Sequence, residues 1–132
     1  METLAKFGWI FLGGGVGSCF RYALGTLIQS KTSGAFPWGT LCVNVLGAFC
    51  IGWVLSALGS GGAPHQPTVR LLVAVGFLGG FTTFSTLAFE SLELLQAGRS
   101  LDFALYVFGT NLLGLLACAF GVWVANAMGF GS

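Results

Sequence analysis

The apolar positions of this chain fall in long tracts with few polar interruptions. No charged residue occurs from Leu71 to Phe89, or from Phe103 to Ser132. A helix that spans a bilayer needs roughly 20 mainly apolar residues. By that measure the pattern predicts four spans, near 7–29, 38–58, 69–95 and 102–127. The third is long enough to tilt or break. The connectors, around SKTSGAFP, GSGGAPHQP and QAGRS, are short and carry Gly, Pro or Ser as punctuation. The predicted architecture is all-α and integral to the membrane, with residues 1–132 forming a single four-helix domain. Lys6, an apolar run and the small residues Gly17 and Ser18 fit a cleaved leader weakly. The pattern continues through Tyr22, Leu24, Leu27 and Ile28, which favours a retained span.

The third tract is interrupted by GFLGGFTTFST at 76–86. Glycine weakens a helix by about 1 kcal/mol at each position, and here Gly76, Gly79 and Gly80 adjoin Thr82, Thr83, Ser85 and Thr86. A break frees carbonyls in a medium without water, which is tolerated where the backbone is buried in protein or serves a cavity or ion. Such carbonyls are oxygen ligands for a cation, while half-helix N-termini and hydroxyls favour anions. The other reading is a continuous helix whose hydroxyls bond back to their own turn. If the helix persists, Phe77, Phe81 and Phe84 share one face. Aromatic ring edges are positive, so they suit an anion as well as packing.

Composition makes lipid the expected solvent. The chain is 55% hydrophobic and 7% charged, against about 25% charged in soluble domains. A net charge of +1 argues against nucleic acid as a partner. With four spans, Lys6 and Arg70 stand on one side, and Lys31 and Arg99 on the other, joined by Arg21 if it snorkels that way. Such even scores give the positive-inside rule little to act on. One reading is a single, weakly biased topology. The other is dual topology, with copies inserted both ways and paired as an antiparallel homodimer about a two-fold axis in the membrane plane.

The candidate chemistry is polar rather than catalytic. Cys19, Cys42, Cys50 and Cys118 lie in spans without metal-binding spacing, and the single histidine, His65, sits in a Gly/Pro connector. No enzyme constellation is expected. Asn44 and Asn111 lie within spans two and four. Each is either a bridge between helices or a donor to a dehydrated anion, with Thr40, Tyr106 and Thr110 extending a donor track. Arg21 lies near a span end. Small-residue pairs at spacings of four, Gly13/Gly17, Gly76/Gly80 and Gly121/Ala125, predict close helix packing.

Three motifs, GGGVGSCFRY (13–22), WGTLCVNVLGAFCIG (38–52) and GFLGGFTTFSTLAFE (76–90), occupy the first three spans in order. Together they resemble the Fluc/CrcB fluoride channels, over nearly the whole chain. The resemblance implies an antiparallel, dual-topology homodimer with a broken third helix and two pores, each built from both subunits. It implies passive, selective F⁻ export across the inner (plasma) membrane to relieve fluoride toxicity. Carried over residue by residue, the carbonyls of Gly79 and Thr82 would hold a structural Na⁺. Asn44 matches the pore amide, with Thr40 a turn before it. Phe84 matches the first ring of a phenylalanine pair, with Ser85 beside it. Arg21 and Glu90 match a first-span arginine and a third-span acid. Tyr106, Thr110 and Asn111 take the fourth-span polar track.

The chain departs from the family pattern at one position of that pair. Where TTFSTF is usual it reads TTFSTL, so Leu87 replaces the second ring, and either the pair is incomplete or Phe81 or Phe89 compensates. A small multidrug-type proton-coupled exporter is the competing reading. It requires a carboxylate within the first span, where this chain has Arg21 instead. A non-transporting scaffold is a third reading.

Overall fold

The computed structural model describes residues 2–59 and 67–130. His65 and most of its connector lie outside the described residues. The order of elements is α1 (Glu2–Lys31), α2 (Trp38–Gly59), a short α3 (Pro67–Val69), a π-helical stretch (Arg70–Leu78), α4 (Gly79–Phe81), α5 (Phe84–Gln96) and α6 (Ser100–Ala127). The described residues contain helices and turns and no strand.

Three runs are long and apolar enough to cross a membrane: Trp38–Gly59, Arg70–Gln96 and Ser100–Ala127. The first helix is the exception among the four expected spans. Its 30 residues give a length of about 45 Å, but Lys6, Arg21, Gln29, Lys31 and repeated glycines dilute its hydropathy. Large side chains face outward along the bundle, including Phe108 and Leu115, both 71% exposed. A water-soluble monomer rarely exposes apolar patches of that extent. The chain is a multi-pass membrane protein.

Close helix approach is built from glycine. A β-carbon on Gly17 would collide with the carbonyl of Phe77, and one on Gly13 with the carbonyl of Leu72. The glycine face of α1 therefore lies directly on the π-helical backbone of the third span, with Gly76 and Gly80 facing it. Gly121 of α6 similarly lies against the carbonyl of Phe49, and α2 and α6 form the most extensive helix pair.

Helical geometry stops at two residues. Thr82 (φ −82°, ψ 159°) and Thr83 (φ −150°, ψ 124°) are extended. Thr82 closes the preceding turn, with its N–H and its hydroxyl both donating to Leu78 O at 3.0 Å. Thr83 caps the next helix by accepting the Thr86 N–H on Oγ1 at 3.2 Å, the usual N-cap arrangement. On α2, Gly47 leaves room for the Thr82 side chain, which any β-carbon there would strike.

The step redirects the chain. Before it, the third span packs on α1; after it, α5 packs on α6. Leu41, Leu87, Leu94 and Tyr106 form the core between α2, α5 and α6, flanked by Phe36, Cys42, Val45 and Phe103. α5 ends at Gln96, and beyond its cap Gly98, with a φ of +72°, lets Arg99 N–H reach back to Leu94 O at 2.8 Å, a Schellman-type stop. Arg99 then pairs with Asp102 at 2.8 Å.

Candidate functional site

Because α5 leaves α1 after the step, a cleft of about 810 Å³ opens between α1, α2 and α5. Its wall carries Arg21, Thr40, Thr83, Thr86 and Glu90. Three helices converge there on one carboxylate. Thr40 of α2 donates from Oγ1 to Glu90 Oε1 at 3.0 Å, and Tyr106 of α6 donates to Oε2 at 2.5 Å. Tyr106 is fully buried behind Glu90 (0% exposed). Hydrogen bonds to a charged group are stronger than neutral ones, so these two hydroxyls fix the carboxylate and disperse its charge.

One helical turn beyond Thr40, Asn44 reaches the step itself. Its Nδ2 donates to Thr83 O at 3.0 Å, and its Oδ1 accepts from Thr83 N–H at 2.8 Å. The Thr83 N–H, which no helix ladder serves, is thereby satisfied, and the Thr83 carbonyl, the N-cap acceptor of the first bond of α5, gains a second donor. Thr83 Oγ1 donates to Thr86 Oγ1 at 3.0 Å and lies 3.3 Å from Ser85 Oγ. The hydroxyls of this segment form one local network.

Thr110 stands one turn after Tyr106 on α6. Among the described residues its hydroxyl is the one buried side-chain polar atom without a hydrogen-bond partner, and the residue is 5% exposed. An unmet buried hydroxyl is costly, and a threonine within a helix ordinarily bonds back to its own turn.

The remaining candidates are placed differently. Asn111 is exposed and donates to Val107 O of its own helix at 2.7 Å, so within the chain it bridges no helices. It lies one residue, about 100° of helix turn, from Thr110. Phe84 points outward, 80% exposed, whereas Leu87 is 7% exposed in the core with Tyr106. The two positions of the expected ring pair thus face different surroundings. Phe81 is buried and stacks on Phe77 at 5.9 Å with rings within 7° of parallel, on the far side of the step from Phe84. Phe89 faces outward, 63% exposed. Gly79 is exposed, with no atom within 4 Å of where a β-carbon would stand. Arg21 is half-buried on the cleft wall. Among the described residues no group of three His, Cys, Asp or Glu side chains is placed to hold a metal.

Residues 8–122 match the family described as CrcB-like protein, Camphor Resistance (CrcB). A protein of Thermus thermophilus is 45% identical over 119 residues, covering 90% of this chain and 94% of its own length. One of Phocaeicola vulgatus is 44% identical over 118 residues, covering 89% and 95%. One of Aquifex aeolicus is 43% identical over 119 residues, covering 90% and 95%. All three are named fluoride-specific ion channel FluC. With the family profile and these relatives each extending over most of its length, the chain belongs to the CrcB-like family.

Proposed function

We propose that this protein is a fluoride-selective channel that lets F⁻ leave the cytoplasm passively through the plasma membrane. The observation that carries the reading is the convergence of Thr40, Glu90 and Tyr106 beside the Asn44-braced step, on the wall of an open cleft. Family membership supports the same reading.

A small anion gives up strong hydration only to strong donors. Hydroxyls and amides offer protons without a fixed positive charge that would hold the ion, and conduction requires sites weak enough to leave. Arg21 at the cleft raises the local concentration of anions. On the wall the Thr40 and Thr83 hydroxyl protons go to Glu90 and Thr86, which leaves the Thr86 hydroxyl to donate to an anion, with Ser85 beside the wall. The second Nδ2 proton of Asn44, beyond the one given to Thr83, remains for the ion. The unpaired Thr110 hydroxyl supplies a further donor on α6, and the outward edge of Phe84 a weaker one. Leu87 contributes no ring edge, so the aromatic share of the path falls on Phe84. A negative-inside potential drives the anion outward with about 2.3 kcal/mol per 100 mV, and no proton or nucleotide is consumed.

The reading includes four membrane-spanning helices, with α1 as the least apolar, and a third helix broken at Thr82–Thr83. Two copies inserted oppositely form an antiparallel homodimer. The exposed Gly79 and Phe84 then face the second copy rather than lipid. A structural Na⁺ fits the same place. Gly79 is open to approach, extended Thr82 turns its carbonyl out of the helix ladder, and carbonyl oxygens suit a hard monovalent cation. Gly79 and Thr82 of both copies would hold it. The ion would join the copies by neutralising the carbonyls there.

A proton-coupled exporter of the small multidrug type is not favoured. Apart from Glu2 at its start, α1 carries no carboxylate to trade protons. The test is F⁻ efflux from liposomes at symmetric pH. Efflux that needs only an electrical path for a counter-ion supports a channel; efflux that needs a proton gradient supports the exporter.

A further inference from the structure

One amide ties the α1–α2 connector to the carboxylate in the cleft. Gln29, near the end of α1 and on the cleft wall, donates from Nε2 to Phe36 O at 3.1 Å. On Oε1 it accepts the N–H of Gly39, also at 3.1 Å. Gly39 lies in the first turn of α2, where N–H groups have no partner within the helix. Of the side chains of this length, only an uncharged amide offers a donor and an acceptor together.

The connector so pinned carries Phe36. Its ring meets Tyr106 edge-on, with centroids 5.7 Å apart and planes at 77°, and Trp38 backs it at 4.6 Å. Tyr106 is otherwise enclosed by Leu41, Leu87 and Leu94. The phenol therefore cannot turn without moving Phe36, and its hydroxyl is aimed at Glu90 Oε2. The chain of contacts runs Gln29, Phe36, Tyr106, Glu90. It begins at a connector and ends on the carboxylate that lines the cleft.

We infer that Gln29 and Phe36 are positioning residues for permeation: they set the angle of Tyr106, and through it the place of the Glu90 carboxylate beside the ion path. This rests on the reading of the Thr40–Glu90–Tyr106 wall as part of a fluoride path. Neither residue touches the ion. Loosening either lets the whole Tyr106 side chain tilt and its hydroxyl draw away from Oε2, which leaves Thr40 alone to hold Glu90, and its carboxylate then leans further into the cleft against an anion.

The full-length protein is reconstituted in KF-loaded liposomes with valinomycin, and initial F⁻ efflux per channel is compared across variants. The set is wild type, Gln29→Met, Phe36→Leu, Tyr106→Phe, and the last combined with each of the others. Gln29→Met keeps the side-chain length and adds no charge. Each single connector variant is expected to slow efflux about fivefold while eluting as wild type on gel filtration. Added to Tyr106→Phe, neither is expected to slow efflux further, because the hydroxyl they position is already gone. Wild-type efflux in both single variants overturns the inference. So does a fivefold loss that recurs in the Tyr106→Phe background, since that marks a structural latch independent of Tyr106. If Gln29→Met does not fold, Phe36→Leu and its double variant decide. If both connector variants fail to fold, the two residues serve the fold alone and the inference is overturned. Absence of efflux from wild type contradicts the proposed function instead.

Discussion

The Asn44 side chain and the Thr83 peptide hold each other through two opposed hydrogen bonds, 3.0 Å from Nδ2 to the carbonyl and 2.8 Å from the N–H to Oδ1. An amide in one span thereby serves the Thr83 N–H, which no helix ladder in the other span reaches. Asn44→Leu leaves the Thr83 N–H without a partner, at about 1–3 kcal/mol, and should lower the melting temperature and abolish F⁻ efflux. Asn44→Asp keeps the acceptor for Thr83 N–H but sets a carboxylate against the Thr83 carbonyl and beside the anion. It should fold better than Asn44→Leu yet conduct at least tenfold more slowly than wild type, by about 1.4 kcal/mol or more. Thermal melts and liposome efflux on the same preparations check both; wild-type efflux in Asn44→Asp removes Asn44 from the path.

Thr110→Val replaces a hydroxyl that has no partner within the chain. If the hydroxyl serves only the fold, its removal leaves stability unchanged or raised, because an unmet polar group is gone. If it also meets the ion, efflux falls. The expected outcome is the combination: a melting temperature equal to or above wild type, with efflux reduced several-fold.

Gly17 and Gly79 should respond oppositely to alanine. At Gly17 the new methyl meets the Phe77 carbonyl, and overpacking of this kind costs about 1–3 kcal/mol. Gly17→Ala should therefore melt lower. At Gly79 the space is open within the chain, so Gly79→Ala should leave the fold of each copy intact. Its effect should appear in association, as a larger monomer fraction in a glutaraldehyde cross-linking series.

Leu87→Phe separates core from pore at the position where the family pattern fails. Leu87 is packed among Leu41, Leu94 and Tyr106, so the larger ring displaces the Tyr106 phenol. The expected result is a lower melting temperature and slower efflux. Faster efflux at unchanged stability places residue 87 on the ion path.

Much of the architecture is legible from the amino acids alone, for identifiable reasons. Uncharged length predicts spans at 38–58 and 102–127, and the helices run Trp38–Gly59 and Ser100–Ala127. The glycine pairs of spans one and three are legible because close approach in lipid has few other solutions. What is not legible depends on rotation and on partners distant in sequence. Nothing in TTFSTL says that the helix restarting at Phe84 turns residue 84 outward and residue 87 inward. Asn44 reads as an amide in need of partners, but Thr83 as its partner is a tertiary fact. Asn111 reads the same way and merely bonds its own helix. The hydropathy of α1 falls below that of the other spans because Glu2, Lys6, Arg21, Gln29 and Lys31 punctuate it. Gln29 and Phe36 carry no sequence signal, since each matters only through the neighbour it holds. The π-helical turn at Arg70–Leu78 likewise has no pattern that announces it.

Selective, passive conduction of fluoride is the property on which the other predictions depend. Its most direct measurement compares purified protein in KF-loaded and KCl-loaded liposomes, with valinomycin carrying K⁺ and an ion-selective electrode reading the released halide. Rapid F⁻ release is expected on addition of valinomycin, with Cl⁻ release no faster than from protein-free liposomes. Equal release of the two halides, or no F⁻ release from folded protein, would contradict it.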